Sequence, residues 1–165
     1  MSSSTPESIP AAVLTVSDSC ARGEQADLSG PAVAELLRQQ GFHIAATSVV
    51  PDEEPAIRAA ILQLLEKARL VVTTGGTGIA PRDVTPEATR SLCDRLLEGV
   101  AERMRAQGSR HTPFAALSRG LCGIRGDAII LNLPGSPKGA VESLQSVIDI
   151  LPHALQLLTG DTKHD

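Results

Sequence analysis

The chain has 165 residues, enough for one sizeable core and too few for two, and its 42% hydrophobic and 21% charged content is that of a globular protein. With 15 Lys and Arg against 19 Asp and Glu, the formal charge is −4 and no basic run is present, which argues against binding to duplex phosphates. Two Phe and no Tyr or Trp leave no aromatic platform for single-stranded nucleic acid, so nucleic acid is not an expected partner.

Residues 1–10, MSSSTPESIP, read as a loose tail without the charged start and apolar stretch of a signal peptide. Ala11–Ser17, AAVLTVS, is a continuous apolar run suited to a buried parallel strand, and it turns polar at once in Ser17, Asp18 and Ser19. The segment through Leu28 reads as loop, and Ser29, Gly30 and Pro31 announce a helix with Val33, Leu36 and Leu37 on one stripe and Gly41 at its end. Phe42–Val50 alternates at first and is rich in β-branched residues, which places it nearer a sheet edge. Ile57, Ile61, Leu64 and Leu65 repeat at helical spacing up to Ala68. Leu70–Thr74 is the central strand, and Thr85 before Pro86 matches an N-cap followed by proline, opening a helix to about Leu97.

Val100 and Met104 mark a further, mostly solvated helix, whereas Thr112–Cys122 shows no clean period. Gly123–Leu133 reads as two strands around a Gly126–Asp127 turn, the second of them buried. Val141, Leu144, Ile148 and Leu151 face the core from the last helix, which Pro152 kinks or restarts, and residues 160–165 form a polar tail. This order predicts one α/β domain over residues 11–159, with parallel strands and crossover helices. No apolar run approaches the ~18 residues of a membrane span, so a soluble, cytoplasmic protein with no membrane contact is expected. Cys20, Cys93 and Cys122 are odd in number and far apart, and His43, His111, His153 and His164 lack ligand spacing. Neither a disulfide frame nor a zinc site is expected.

In an open α/β sheet, ligands bind beyond the carboxyl ends of the strands. Four polar loops leave strands there and should converge: Ser17–Ser19, Pro51–Glu54, Gly75–Asp83 and Pro134–Ser136. Gly75, Gly76, Thr77 and Gly78 stand between a buried strand and a helix start, an arrangement that suits phosphate, although a turn that needs glycine only for geometry reads the same way. Asp52 and Asp83 bring carboxylates to these loops. Beside an anion they make electrostatic sense with Mg²⁺ between, and singly each also suits a helix or turn cap. Ser136 before Pro137 reads as an N-cap, and Ser118 as a solvated hydroxyl or a ligand contact. Arg82, Arg119, Arg125 and Lys138 either steady phosphate charge or lie on the surface. No Ser, His and Asp arrangement supports covalent catalysis.

Taken together, TVSDS at Thr15–Ser19, the Asp27, Ser29, Gly30 run, VVPDE at Val49–Glu53, TTGGTG at Thr73–Gly78, PRDVTPEAT at Pro81–Thr89, LSR at Leu117–Arg119, GIRG at Gly123–Gly126 and NLPGSPKG at Asn132–Gly139 resemble the molybdopterin adenylyltransferase family. This is the MogA/MoaB type, similar also to the gephyrin N-terminal domain. The resemblance implies a three-layer α/β/α sandwich, a homotrimer, and Mg²⁺-dependent transfer of AMP from ATP to the terminal phosphate of molybdopterin with release of pyrophosphate. It further implies that Asp52 and Asp83 hold the metal, that Ser17, Asp18, Gly75, Gly76, Thr77 and Gly78 bind nucleotide, and that Ser118 acts in pterin handling. Pro134, Gly135 and Ser136 would form another pocket wall, and a metal-insertion enzyme is the implied partner. The rival readings are a non-catalytic pterin-binding or scaffold module of the same fold, the related metal-insertion domain, and a nucleotide-binding domain with another acceptor.

Overall fold

The computed structural model describes residues 8–160, so most of the expected N-terminal tail and residues 161–165 lie outside the described residues. The ordered fold begins earlier than the sequence suggests, because Ile9 packs against the core and Pro10 already belongs to the first strand. In chain order the elements are β1 (Pro10–Val16), α1 (Asp18–Ala21), α2 (Ser29–Gln39), β2 (His43–Val50), α3 (Glu54–Leu65), β3 (Leu70–Thr74) and α4 (Thr85–Arg90). There follow β4 (Arg95–Leu96), α5 (Glu98–Gly108), a 3₁₀ turn (Pro113–Leu117), β5 (Cys122–Arg125), β6 (Ala128–Leu133), α6 (Pro137–Val147) and α7 (Leu151–Leu158).

One mixed sheet of order β2-β1-β3-β6-β5-β4 carries the domain. β1, β2, β3 and β6 are parallel, and β5 and β4 complete the far side antiparallel. β2 is the edge strand its alternation predicts. Successive side chains of a strand point to opposite faces, and here both faces are covered. Ala11, Val13, Leu70, Val72, Ile129 and Leu131 meet the layer of α2, α5, α6 and α7, whereas Ala12, Leu14, Val71 and Ile130 meet α3 and α4. This is the three-layer α/β/α arrangement. The core is aliphatic apart from Phe42 and the sulfur-bearing Met104 and Cys122, and each fully buried Leu or Ile contributes ~2 kcal/mol.

Three local expectations are corrected. The helix opening near Thr85 ends at Arg90 rather than Leu97, because the Asp94 amide donates to the Ile124 carbonyl at 2.7 Å and draws the chain into the sheet as β4. Thr85 is not the N-cap: it is already helical, and its hydroxyl donates instead to the Gly75 carbonyl at 2.9 Å. The loop after β1 contains a short helix, α1, capped by Ser17, whose hydroxyl accepts from the Cys20 amide at 3.2 Å. Ser136 does cap α6, accepting from the Gly139 amide at 3.1 Å. Pro152 restarts the chain as α7.

Candidate active site

Because the four parallel strands share a direction, the loops that leave their carboxyl ends meet at one edge. The ladder continues into them: the Ser17 amide donates to the Val50 carbonyl at 2.9 Å and the Gly75 amide to the Leu133 carbonyl at 3.1 Å. Gly75 sits at φ +93°, and a Cβ there would collide with the Val16 carbonyl oxygen; Gly76, at φ +69°, has the Thr85 hydroxyl against it. Both glycines are demanded by backbone geometry. Gly135 presses on the same loop, since a Cβ on it would lie 3.3 Å from the Gly75 Cα.

A first hollow of about 280 Å³ opens over this edge, its lining including Ser17, Asp52, Gly75, Gly76, Asp83 and Gly135. The loops around it are tied by side chains. The Asp18 amide donates to Asp52 Oδ2 at 2.9 Å and the Asp52 amide to Asp18 Oδ1 at 3.0 Å, and Arg82 forks onto Asp18 at 2.8 and 2.9 Å. Asp18, predicted among the nucleotide ligands, thus has its carboxylate taken up by Arg82. That guanidinium, with the Asp52 amide, holds its pKa below the ordinary carboxylate value. Asp52 is pushed the other way, chiefly by burial, with the charges of Asp18 and Asp83 adding to the rise.

Asp83 Oδ2 accepts from the Ala80 amide at 3.0 Å, which leaves Oδ1 without a hydrogen bond among the described residues. A half-buried carboxylate crowded by two like charges is a place where a cation is favoured, so the donor set fits the Mg²⁺ that the sequence implied. Among the described residues no three His, Cys, Asp or Glu side chains form a metal cage. A cation held by Asp52 and Asp83 would therefore complete its shell with water or other oxygen ligands, the habit of Mg²⁺.

The remaining candidates border a second hollow, of about 270 Å³, whose lining includes Thr77, Gly78, Ser118, Pro134 and Ser136. The Gly75–Gly78 loop and the Pro134–Ser136 turn form the wall between the two hollows. Ser118 thus lines the second hollow and the two aspartates line the first, with Asp83 Oδ2 against Gly78 where the two meet.

Sequence reasoning missed what braces this wall. The Arg119 amide donates to the Thr77 carbonyl, its Nε to the Gly78 carbonyl and its Nη2 to the Asp83 carbonyl, each at 2.8 Å, while Nη1 pairs with the Glu87 carboxylate. Beneath it, Asn132 donates at 3.0 Å to both Thr73 Oγ1 and Thr89 Oγ1 and accepts from the Leu121 amide at 3.2 Å. Arg125 spends a donor on the Leu92 carbonyl at 3.0 Å, and Lys138 is exposed, 4.0 Å from Glu142. The three cysteines are free thiols, Cys122 in the core and Cys20 on the first hollow.

A family model described as "Probable molybdopterin binding domain" matches residues 12–153. The chain belongs to that family. It is 39% identical over 162 residues to the molybdopterin adenylyltransferase of Helicobacter pylori strain J99, covering 94% of this chain and 90% of that one. It is 42% identical over 158 residues to the molybdenum cofactor synthesis protein cinnamon of Drosophila melanogaster, spanning 94% of this chain but only 26% of that longer protein. Among solved structures, the molybdopterin biosynthesis enzyme MoaB of Thermus thermophilus superposes with a TM-score of 0.87 at 52% identity, covering 93% of this chain and 98% of that chain. Among the described residues no helix is long and apolar enough to cross a membrane.

Proposed function

We propose that this protein is a molybdopterin adenylyltransferase of molybdenum cofactor biosynthesis, taking ATP in the first hollow and molybdopterin in the second. The observation that carries the reading is the shared wall: one glycine loop separates two hollows and presents Asp83 to the first and Thr77 and Gly78 to the second. In the reaction an oxygen of the terminal molybdopterin phosphate forms a bond to the α-phosphorus of ATP. The bond to the bridging oxygen breaks, and pyrophosphate leaves with the electron pair.

Two anions must meet, so positioning and charge neutralisation dominate the acceleration. Asp52 and Asp83 would hold Mg²⁺, which when bound supplies positive charge to the triphosphate. The main chain at Gly75 and Gly76 gives the phosphates a close approach, Arg82 keeps Asp18 and thereby the Asp52 loop in place, and Arg119 fixes the loop between the substrates. Ser118 lies where the acceptor would reach the wall. The resemblance also supports a cytoplasmic homotrimer that passes its product to a metal-insertion enzyme, and sedimentation of the purified protein checks the trimer.

Incubating the protein with ATP, Mg²⁺ and molybdopterin should release pyrophosphate and form adenylylated molybdopterin, with no release when molybdopterin is omitted. Molybdopterin binding without pyrophosphate would instead favour the non-catalytic module.

A further inference from the structure

The second hollow carries two side chains that phosphate chemistry does not use. Glu142, on α6, lines it with a side chain only 27% exposed. Its nearest basic side chains stand off at 3.9 Å, for His111 Nδ1, and 4.0 Å, for Lys138 Nζ, and no hydrogen bond reaches it among the described residues. A half-buried carboxylate paired only at these lengths keeps its oxygens open to the donors of a ligand.

Phe114 lines the same hollow and is 74% exposed, whereas the only other phenylalanine in a chain without Tyr or Trp, Phe42, is 5% exposed in the core. Burying Phe114 would be the default for so apolar a side chain in a chain this poor in aromatics. Its backbone is held out on the 3₁₀ turn, where Pro113 opens the turn and the Thr112 hydroxyl accepts from the Phe114 amide at 3.2 Å. A hollow with a planar ring at its rim and a loosely paired carboxylate in its wall fits a flat heterocycle that offers two adjacent N–H donors.

We propose that the second hollow recognises the pterin ring system through these two residues: Glu142 accepts from ring N3–H and the exocyclic 2-amino group, and Phe114 stacks on the ring face. The two donors lie side by side, as those of a guanidinium do, so a carboxylate takes both at once. This inference rests on the adenylyltransferase reading and specifies which end of the acceptor is read. With the ring at Glu142, the substrate's phosphate would extend toward Thr77, Gly78 and Ser118, which line the same hollow.

The test compares pterin (2-amino-4-oxopteridine) with lumazine (2,4-dioxopteridine), which lacks the amino donor. Ligand fluorescence serves directly, since the protein has no Trp or Tyr. The wild-type protein should bind pterin about 10-fold or more tightly than lumazine, the size of one lost charge-assisted pair. Glu142→Gln should abolish that preference while leaving ATP affinity unchanged. Phe114→Ala should weaken both pteridines alike, by roughly 5-fold, and Phe114→Tyr should restore them.

A wild-type protein that turns over molybdopterin yet does not prefer pterin would overturn this proposal alone, as would a Glu142→Gln protein that keeps the preference. Pteridine affinities untouched by Phe114→Ala would remove the stacking. A wild-type protein that neither binds nor adenylylates molybdopterin would overturn the underlying reading as well.

Discussion

The hollow over Asp52 and Asp83 is walled by the ends of β1, β3 and β6, which continue one hydrogen-bonded ladder, and by the segment from Gln25 to Ser29 that leads into α2. The hollow under Phe114 has the glycine loop and the Pro134–Ser136 turn on one side, and the rest of it is built from the 3₁₀ turn and α6, elements that belong to no ladder. A wall of backbone suits groups common to every nucleotide, because N–H donors and a cation read phosphate and little else. A wall of individual side chains suits the partner that must be told apart from others. On this view, damage to the first hollow stops the chemistry whatever the acceptor, and damage to the second changes which acceptor is taken.

The largest expected effect lies in the first hollow. Asp83→Asn keeps an oxygen to accept from the Ala80 amide, so the loop should fold as before while losing the charge offered to the cation. Turnover should fall by about 100-fold or more, the several kcal/mol a divalent ion contributes to charge stabilisation, with Tm nearly unchanged. An Asp83→Asn enzyme with an undiminished rate at saturating Mg²⁺ would take this carboxylate out of the mechanism and erase the contrast.

Next comes the layer beneath the wall. Asn132→Ala removes a buried amide that serves Thr73, Thr89 and Leu121 together and leaves the Thr73 hydroxyl and the Leu121 amide without that partner, while Thr89 keeps its bond to the Thr85 carbonyl. Chemical denaturation should register a loss of ~2 kcal/mol or more. A loss close to zero would mean that water replaces the amide and that the wall does not depend on it.

What could be read in the sequence follows the same division. The buried strands announce themselves, since Ala11–Val16, Leu70–Thr74 and Ile129–Leu133 are mostly apolar and buried on both faces, and their abrupt ends in Ser17, Gly75 and Pro134 mark the ligand edge. Asp52 and Asp83 stand out because they are carboxylates in such loops. Arg119 gives no such sign. Its partners Gly78, Asp83 and Glu87 lie 41, 36 and 32 residues away, and only folding shows that they share one guanidinium. The helix after Thr85 misleads for a related reason: Ala88, Leu92 and Leu96 keep helical spacing, yet Leu96 pairs with Gly123 in the sheet. Phe114 and Glu142 sit in segments where nothing periodic links them.

Arg119→Ala tests the link between the hollows. The Gly78 and Asp83 carbonyls and Glu87 lose their donor while the main-chain bond to Thr77 stays, so the glycine loop should loosen toward both substrates. KM for ATP and for molybdopterin should each rise by about 10-fold, with Arg119→Lys only partly restoring them, because an ammonium lacks the planar fork. A rise in one KM alone would show that the loop serves one hollow and that the wall is not shared.

The smallest effect is on pH, and it separates the two aspartates tied back to back. Asp52 has a folded-state pKa raised above 3.8 by burial, so on acidification it takes up a proton before an ordinary carboxylate would, and cation binding should fall through that higher value. Asp18, lowered by Arg82, contributes stability that is fully present above 3.8 and disappears only as pH drops through its depressed value. The raised group acts in the opposite sense: its ionised form is disfavoured in the fold, so protonating Asp52 favours the folded state. Between the two values the protein should remain folded, with the Asp18–Arg82 pair intact, but should bind Mg²⁺·ATP weakly. Affinity and circular dichroism measured across the same acid titration would show the two transitions apart. Coincident loss of binding and fold would mean that the Asp52 loop is held by the ionised carboxylate itself rather than by the pair behind it.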